Sequence, residues 1–251
     1  MKYALIGQHL GHSYSQRHFQ ALFARPGLRA HTYTLCEMPS LDGLRRWVAE
    51  EGIDGFNITV PYKQEAIPLL DELDAEARAI GAVNCVSVEH GRLVGHNTDA
   101  PAFLASLTPL LTPAQRQAEA LVMGTGGAAR AVSYALTRAG IRHRMVSRTP
   151  SEGQLTYAEA RQVVTARTGA LLMINATPVG MTPEPDRCPW PWNEYPGAGC
   201  LAYDLVYNPS PTLFLSRAAA AGMATKDGLE MLRRQADLSW QLWQKTAAAN
   251  L

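Results

Sequence analysis

A lysine and an aspartate draw attention first, because each closes an apolar run that gives way to turn residues. Lys63 ends Gly55-Phe56-Asn57-Ile58-Thr59-Val60-Pro61-Tyr62-Lys63, and Asp99 ends Gly95-His96-Asn97-Thr98-Asp99. Such a pair can pass a proton to or from a reacting oxygen, with the carboxylate orienting the ammonium. A lysine two residues after Pro61, at an expected helix start, is electrostatically out of place, since the helix dipole favours acidic side chains there. The structural alternatives are an exposed lysine and an aspartate that caps the helix opening at residue 99. Further along, Gly124-Thr125-Gly126-Gly127-Ala128-Ala129-Arg130 follows an apolar strand and opens a helical run. In Gly124-x-Gly126-x-x-Ala129 the first glycine permits a tight turn, the second lets the backbone approach a pyrophosphate, and the small third residue lets helix pack on strand. The helix amides then face the phosphates. A glycine-rich helix start without a ligand is the plain alternative.

The strand after this loop ends in Ser147-Arg148-Thr149, where an acidic residue would bind the ribose 2′-hydroxyl of NAD. An arginine suits a 2′-phosphate instead, so NADP is the expected cofactor. Gly11-His12-Ser13-Tyr14-Ser15 sits between the first strand and a helix. Its two serines are either helix caps or, beside unpaired amides, a carboxylate site. Gly81-Ala82-Val83-Asn84, Asn175 to Met181 and Asp204 to Pro209 are further joints of strand and turn. His12 and His18 lack partners at ligand spacing, and the four cysteines form no Cys-x-x-Cys pair, so no metal site is expected. Trp190 and Trp192, set among prolines, read as a loop packed on the surface, with a cofactor-facing role as the alternative.

These residues need elements to hold them. Short apolar runs alternate with helical stretches: strand Tyr3 to Ile6, helix from about Ser15, strand Thr32 to Leu35, helix from about Ser40, strand Gly55 to Thr59. That βαβαβ rhythm gives a mostly parallel sheet whose strands end at the ligand. A hairpin follows, turning at Glu89-His90-Gly91-Arg92, and Asp99 opens the next helix. Thr108 to Pro113, with two prolines, is the expected link to a second alternation that begins at Ala120 and reads as a Rossmann-like dinucleotide-binding half. Asp227 to Ala249 is the last helix, with Leu229, Leu232, Ala236, Trp240 and Trp243 at helical spacing. The expected domains are 1–103, with 228–251 returning to it, and 104–227. At 251 residues and 47% hydrophobic the chain can bury two cores, and a net charge of +1 gives no footprint for nucleic acid or an anionic membrane. A small-molecule substrate in a reducing cytoplasm is expected, since no signal peptide or bilayer-length apolar stretch is present.

Taken in order, these blocks resemble the shikimate dehydrogenases, which reduce 3-dehydroshikimate to shikimate with NADPH. Asp227-Gly228-Leu229-Glu230-Met231-Leu232 and Gln235 extend the likeness to the last helix. The resemblance implies an α/β chain of a substrate domain and a dinucleotide domain, acting as monomer or homodimer in aromatic amino-acid biosynthesis. It implies Lys63 and Asp99 as the catalytic pair, and Ser13 and Ser15 on the substrate carboxylate. Thr59, Asn84, Tyr207 and Gln235 complete that pocket. Gly124, Thr125, Gly126, Gly127 and Ala128 take the pyrophosphate, Ser147, Arg148 and Thr149 the adenosine end, and Thr177 and Gly228 lie toward the nicotinamide. The chain departs from the family at Gln16 (usually proline), Phe19 and Ser147 (usually asparagines), and the stretch between Arg148 and Leu171 is short. Three rivals stay open: an NAD-using quinate/shikimate dehydrogenase, a non-catalytic sensor of dinucleotide and small acid, and a methylene-tetrahydrofolate dehydrogenase.

Overall fold

The computed structural model describes residues 1–11 and 13–249, so His12 of the serine block and the last two residues of the expected 228–251 return lie outside the described residues. The chain forms two compact units, Met1–Ala102 with Leu232–Leu251, and Phe103–Met231.

Unit 1 runs β1 (Lys2–Gly7), α1 (Tyr14–Phe23), β2 (Thr32–Glu37), α2 (Leu44–Glu51), β3 (Gly55–Ile58), β4 (Glu72–Leu73), α3 (Ala75–Ile80), β5 (Cys85–Glu89) and β6 (Arg92–His96), then the start of α4 (Asp99–Leu107). Its sheet order is β2-β1-β3-β5-β6-β4. Helical crossovers make β1 parallel to β2 and β3, whereas β5 runs antiparallel to both β3 and β6. Two reversals cancel, so β6 again points the way of β1 and β3. The segments after β1, β3 and β6, and the residue before β5, therefore emerge at one edge of the sheet. Those segments carry Ser13, Lys63 and Asp99, and that residue is Asn84. The β5–β6 hairpin is possible because His90 and Gly91 take positive φ, 49° and 79°, the pairing a tight two-residue turn demands.

The second half of the chain supplies α5 (Pro113–Arg116), β7 (Glu119–Met123), α6 (Gly127–Arg138), β8 (His143–Ser147), β9 (Leu155–Thr156), α7 (Tyr157–Ala166), β10 (Leu171–Asn175), β11 (Leu201–Asp204), α8 (Leu213–Ala220) and β12 (Ala224–Lys226). Its strands pair in the order β12-β11-β10-β7-β8-β9, every neighbouring pair parallel. β10 is buried throughout and β7 nearly so, which suits strands covered on both faces. β7 lies between β8 and β10, the strand-order reversal at which such sheets hold ligands beyond their carboxyl ends.

The last helix, α9 (Leu229–Ala249), returns from Leu232 onward to unit 1. Trp243 is 1% exposed, stacks on Tyr3 at 4.5 Å, and donates from Nε1 to the Val86 carbonyl at 2.9 Å. A Cβ on Gly55 would stand 2.5 Å from that indole nitrogen, so glycine in β3 is what admits the helix.

Four sequence expectations need correcting. The chain passes from unit 1 to unit 2 within α4, and the proline-bearing Thr108 to Pro113 lies inside unit 2, where Thr112 and Gln115 form a capping box on α5. Lys63 stands in a run of turns between Pro61 and the short 3₁₀ turn Ile67–Leu69, with no α-helix starting there, so the helix-dipole argument for it does not apply. Trp190 is core: it is fully buried and donates from Nε1 to the Glu194 carbonyl at 2.9 Å. The helix expected from about Ser40 starts at Leu44, after Gly43 in the left-handed region.

Candidate active site

At the carboxyl edge of the unit 1 sheet, Lys63 Nζ donates to Asp99 Oδ2 at 2.5 Å, with the two side chains 15% and 7% exposed. The backbone holds both ends: the Val83 amide donates to the Lys63 carbonyl at 2.7 Å, and Asn97 Oδ1 accepts from the amides of Asp99 and Ala100. Asn97 thus caps α4, leaving the Asp99 carboxylate for the lysine. Asn84 ties the other oxygen down. Its Nδ2 lies 3.0 Å from Asp99 Oδ1, 2.8 Å from Thr98 Oγ1 and 3.3 Å from Gln235 Oε1, while its Oδ1 accepts from the Thr98 amide at 2.7 Å. A nearly buried carboxylate that receives an ammonium and an amide hydrogen is held in one rotamer.

Beneath it the polar network continues into the core. Asn57 Nδ2 donates to the Asn84 carbonyl and to Ser239 Oγ, and Tyr33 Oη donates to Asn57 Oδ1 at 2.9 Å. Burial pushes the Tyr33 hydroxyl well above its usual pKa, so it stays a donor.

Ser13 occupies the N-cap position of α1 without a side-chain capping bond, and α1 has no acidic residue in its first turn. Ser15 is 9% exposed, and its hydroxyl has no hydrogen-bond partner among the described residues. The loop before them is tethered by Glu37, whose carboxylate accepts from the Leu10 amide at 2.7 Å and more weakly from Gly11; those bonds hold its pKa below the usual carboxylate value. Two hydroxyls and unpaired amides make an anion-binding arrangement. Thr59 follows β3, its amide bonded to the Ile6 carbonyl, and Gln235 is 8% exposed on α9.

In unit 2 the β7–α6 turn is shaped by missing side chains. Gly124 has φ +113°, and a Cβ there would lie 3.1 Å from the Ala176 carbonyl oxygen. A Cβ on Gly126 would meet no protein atom within 4 Å, and α6 has no side-chain cap. The turn therefore offers bare amides to open space, as a phosphate group requires. Ser147, 8% exposed at the end of β8, accepts from the Thr149 amide at 3.2 Å, and Arg148 beside it is exposed. Thr177 is fixed by Asn175 Oδ1, which accepts from both its amide and its hydroxyl. Asn175 in turn donates to Asp204, which also accepts from the Val206 amide and Thr212 Oγ1. Burial pushes the Asp204 carboxyl up to about 6 in spite of those donors. Gly228 packs against backbone so closely that a Cβ would fall 2.0 Å from the Leu205 carbonyl oxygen.

Residues 5–86 match the family described as the shikimate dehydrogenase substrate binding domain. The shikimate dehydrogenase (NADP(+)) of Thermus thermophilus is 39% identical over 97% of this chain and 92% of its own length. The chain belongs to the shikimate dehydrogenase family. A crystal structure of the Thermus thermophilus shikimate 5-dehydrogenase with NADP(H) and shikimate superposes with a TM-score of 0.83 at 35% identity, covering 100% of both chains. The quinate dehydrogenase of Corynebacterium glutamicum in complex with NAD also superposes at 0.83, with 28% identity over 98% of this chain and 94% of the other.

Within this shikimate dehydrogenase fold, Lys63, Asp99, Asn84 and Gln235 form one hydrogen-bonded group, and Ser13, Ser15 and Thr59 follow strands that end at the same sheet edge. Gly124 to Ala128, Ser147 to Thr149 and Thr177 stand at the carboxyl ends of β7, β8 and β10. Tyr207 is half-buried on the loop after β11, in unit 2. Sequence reasoning missed the support beneath the pair, Tyr33, Asn57 and Ser239. Its only trace is a polar residue at an inward position of an apolar strand, Asn57 in Gly55–Ile58, and a serine among the apolar positions of α9. Among the described residues no group of three or more His, Cys, Asp or Glu side chains could hold a metal ion, and no helix is long and apolar enough to cross a membrane.

Proposed function

We propose that this chain is a shikimate dehydrogenase, reducing 3-dehydroshikimate reversibly to shikimate with NADPH in the route to aromatic amino acids. The observation that carries the reading is the 2.5 Å Lys63–Asp99 contact, locked by Asn84 at the edge where three strands end, in a chain of this family. The residues of unit 2 fit NADP. Open space at Gly126 and uncapped α6 amides suit its pyrophosphate, and exposed Arg148 beside Ser147 and Thr149 suits a 2′-phosphate. Gly124, Thr125, Gly126, Gly127 and Ala128 would hold the phosphates, with Thr177 and Gly228 toward the nicotinamide. When bound, NADPH supplies the hydride.

The chain's own part is proton transfer and positioning. As negative charge grows on the carbonyl oxygen, Lys63 Nζ gives it a proton, and in the reverse direction neutral Lys63 takes the alcohol proton. Asp99 Oδ2 keeps the ammonium pointed at that oxygen. Ser13 and Ser15 bind the carboxylate, and Thr59, Asn84, Gln235 and Tyr207 meet the ring hydroxyls, as the family likeness suggests. The four cysteines are free thiols, in keeping with a cytoplasmic enzyme working as a monomer or homodimer.

Absorbance at the reduced-nicotinamide band, with shikimate or quinate against NADP or NAD, tests the reading. Strong reduction with shikimate and NADP alone supports it. Preference for quinate and NAD would move the chain to the quinate-using branch, and no reduction in any combination would overturn enzymatic function.

A further inference from the structure

Tyr14 makes a contact that neither the proton-transfer pair nor the serine hydroxyls use. It is the first residue of α1, between Ser13 and Ser15, and its hydroxyl accepts a hydrogen bond of 2.7 Å from Arg233 Nε on α9. The guanidinium carbon also lies 5.8 Å from the centroid of the Tyr14 ring. One turn further along both helices, His18 Nε2 and Asp237 Oδ1 stand 3.0 Å apart. The two helices therefore run side by side, with Arg233 at the end of the seam where α1 begins.

Arg233 is exposed, so its guanidinium can receive an arriving anion without first giving up a buried partner. The first turn of α1 presents its positive dipole end and contains no acidic residue. Glu230, the acid in the first turn of α9, is taken up by Lys226 at 2.6 Å. Ser15, the residue after Tyr14, is nine-tenths buried and without a hydrogen-bond partner among the described residues. Tethering to a phenol fixes the direction of a long side chain whose fork suits carboxylates, so less freedom is lost when the anion arrives.

We propose that Arg233, held in place by Tyr14, is a specificity-determining residue: its charge selects substrates that bring a carboxylate to Ser13 and Ser15. The inference rests on the serines being the carboxylate site of the proposed reaction. Arg233 acts on binding and takes no part in proton transfer, so its loss lowers affinity for the acid in ground and transition state alike.

Steady-state kinetics with NADP on the wild type, Arg233→Met, Arg233→Lys and Tyr14→Phe, using shikimate and its methyl ester, tests this. Arg233→Met should raise KM for shikimate about fivefold, the size expected for a partly exposed charge pair, with kcat little changed. Arg233→Lys should recover most of the loss, and KM for the ester should be the same in wild type and variants. Added salt should close the gap between wild type and Arg233→Met. Tyr14→Phe, which keeps the ring, should raise KM for shikimate in the same direction by a smaller factor and serves if Arg233→Met fails to fold. An unchanged KM, an equal change with acid and ester, or a fall in kcat at constant KM would overturn the proposal. Absence of shikimate turnover in the wild type would remove the dehydrogenase reading itself, whereas wild-type turnover with indifferent variants would remove only the role of Arg233.

Discussion

The two units present their strand ends in opposite ways. At the edge of the unit 1 sheet, side chains do the work, and nearly every polar atom is spoken for: Lys63 on Asp99, Asp99 on Asn84, Asn84 on Thr98 and Gln235, Asn57 on Ser239. At the edge of the unit 2 sheet the work falls to backbone, and what matters is which side chains are missing, at Gly124, Gly126 and Gly228. A proton-transfer group must be aimed to within a fraction of an ångström, which a buried hydrogen-bond network provides. A cofactor held by its phosphates needs amides and room. Substitutions should therefore act on turnover in unit 1 and on cofactor affinity or stability in unit 2.

The largest expected effect that would sharpen this contrast comes from Asp99→Ala. It strips Lys63 of its orienting partner and should lower kcat about a hundredfold or more, with KM for NADP unchanged, in steady-state assays. Asn84→Ala removes the amide that fixes the second Asp99 oxygen; a hydrogen bond to a charged group is at stake, so kcat should fall about tenfold and the melting temperature should drop as well. In unit 2, Gly126→Ala places a methyl where no protein atom stands, so thermal unfolding should be unchanged while KM for NADP rises several-fold. Gly228→Ala should instead destabilise by about 1–3 kcal/mol, because the methyl would run into the Leu205 backbone. If Gly126→Ala lowered stability and spared NADP binding, the contrast would break.

The smallest effect expected is in the pH dependence of unit 2. The Asp204 carboxyl is raised in the folded chain to about 6 from an ordinary value of 3.8, so its protonated form favours folding. That contribution is fully present below about pH 4 and is lost as pH rises through about 6. The difference in melting temperature between wild type and Asp204→Asn should shift against the wild type over that interval and then level off. A constant difference from pH 4 to 7 would contradict the assignment.

Much of this plan was legible in the sequence, and for a definite reason. Strand ends marked by turn residues locate Lys63, Asp99 and the glycine loop, because in an α/β sheet a strand end is a ligand position whatever the details of packing. What failed was whatever depends on neighbours distant in the chain. Nothing local says that Asn84 binds both Asp99 and Gln235, that Tyr33 supports Asn57, or that Arg233 meets Tyr14 across 219 residues. Prolines around Trp190 indicated a loop correctly but not its burial, and Pro61 suggested a helix start at Lys63 where turns follow instead. β4 and β12, of two and three residues, are too short to show any period.

The central claim is that Lys63 moves the proton, and single substitution tests it most directly. Purified Lys63→Ala should fold and bind NADP as the wild type does, while its shikimate oxidation falls on the order of a hundred to ten thousandfold. Turnover within a few-fold of the wild type would contradict the account.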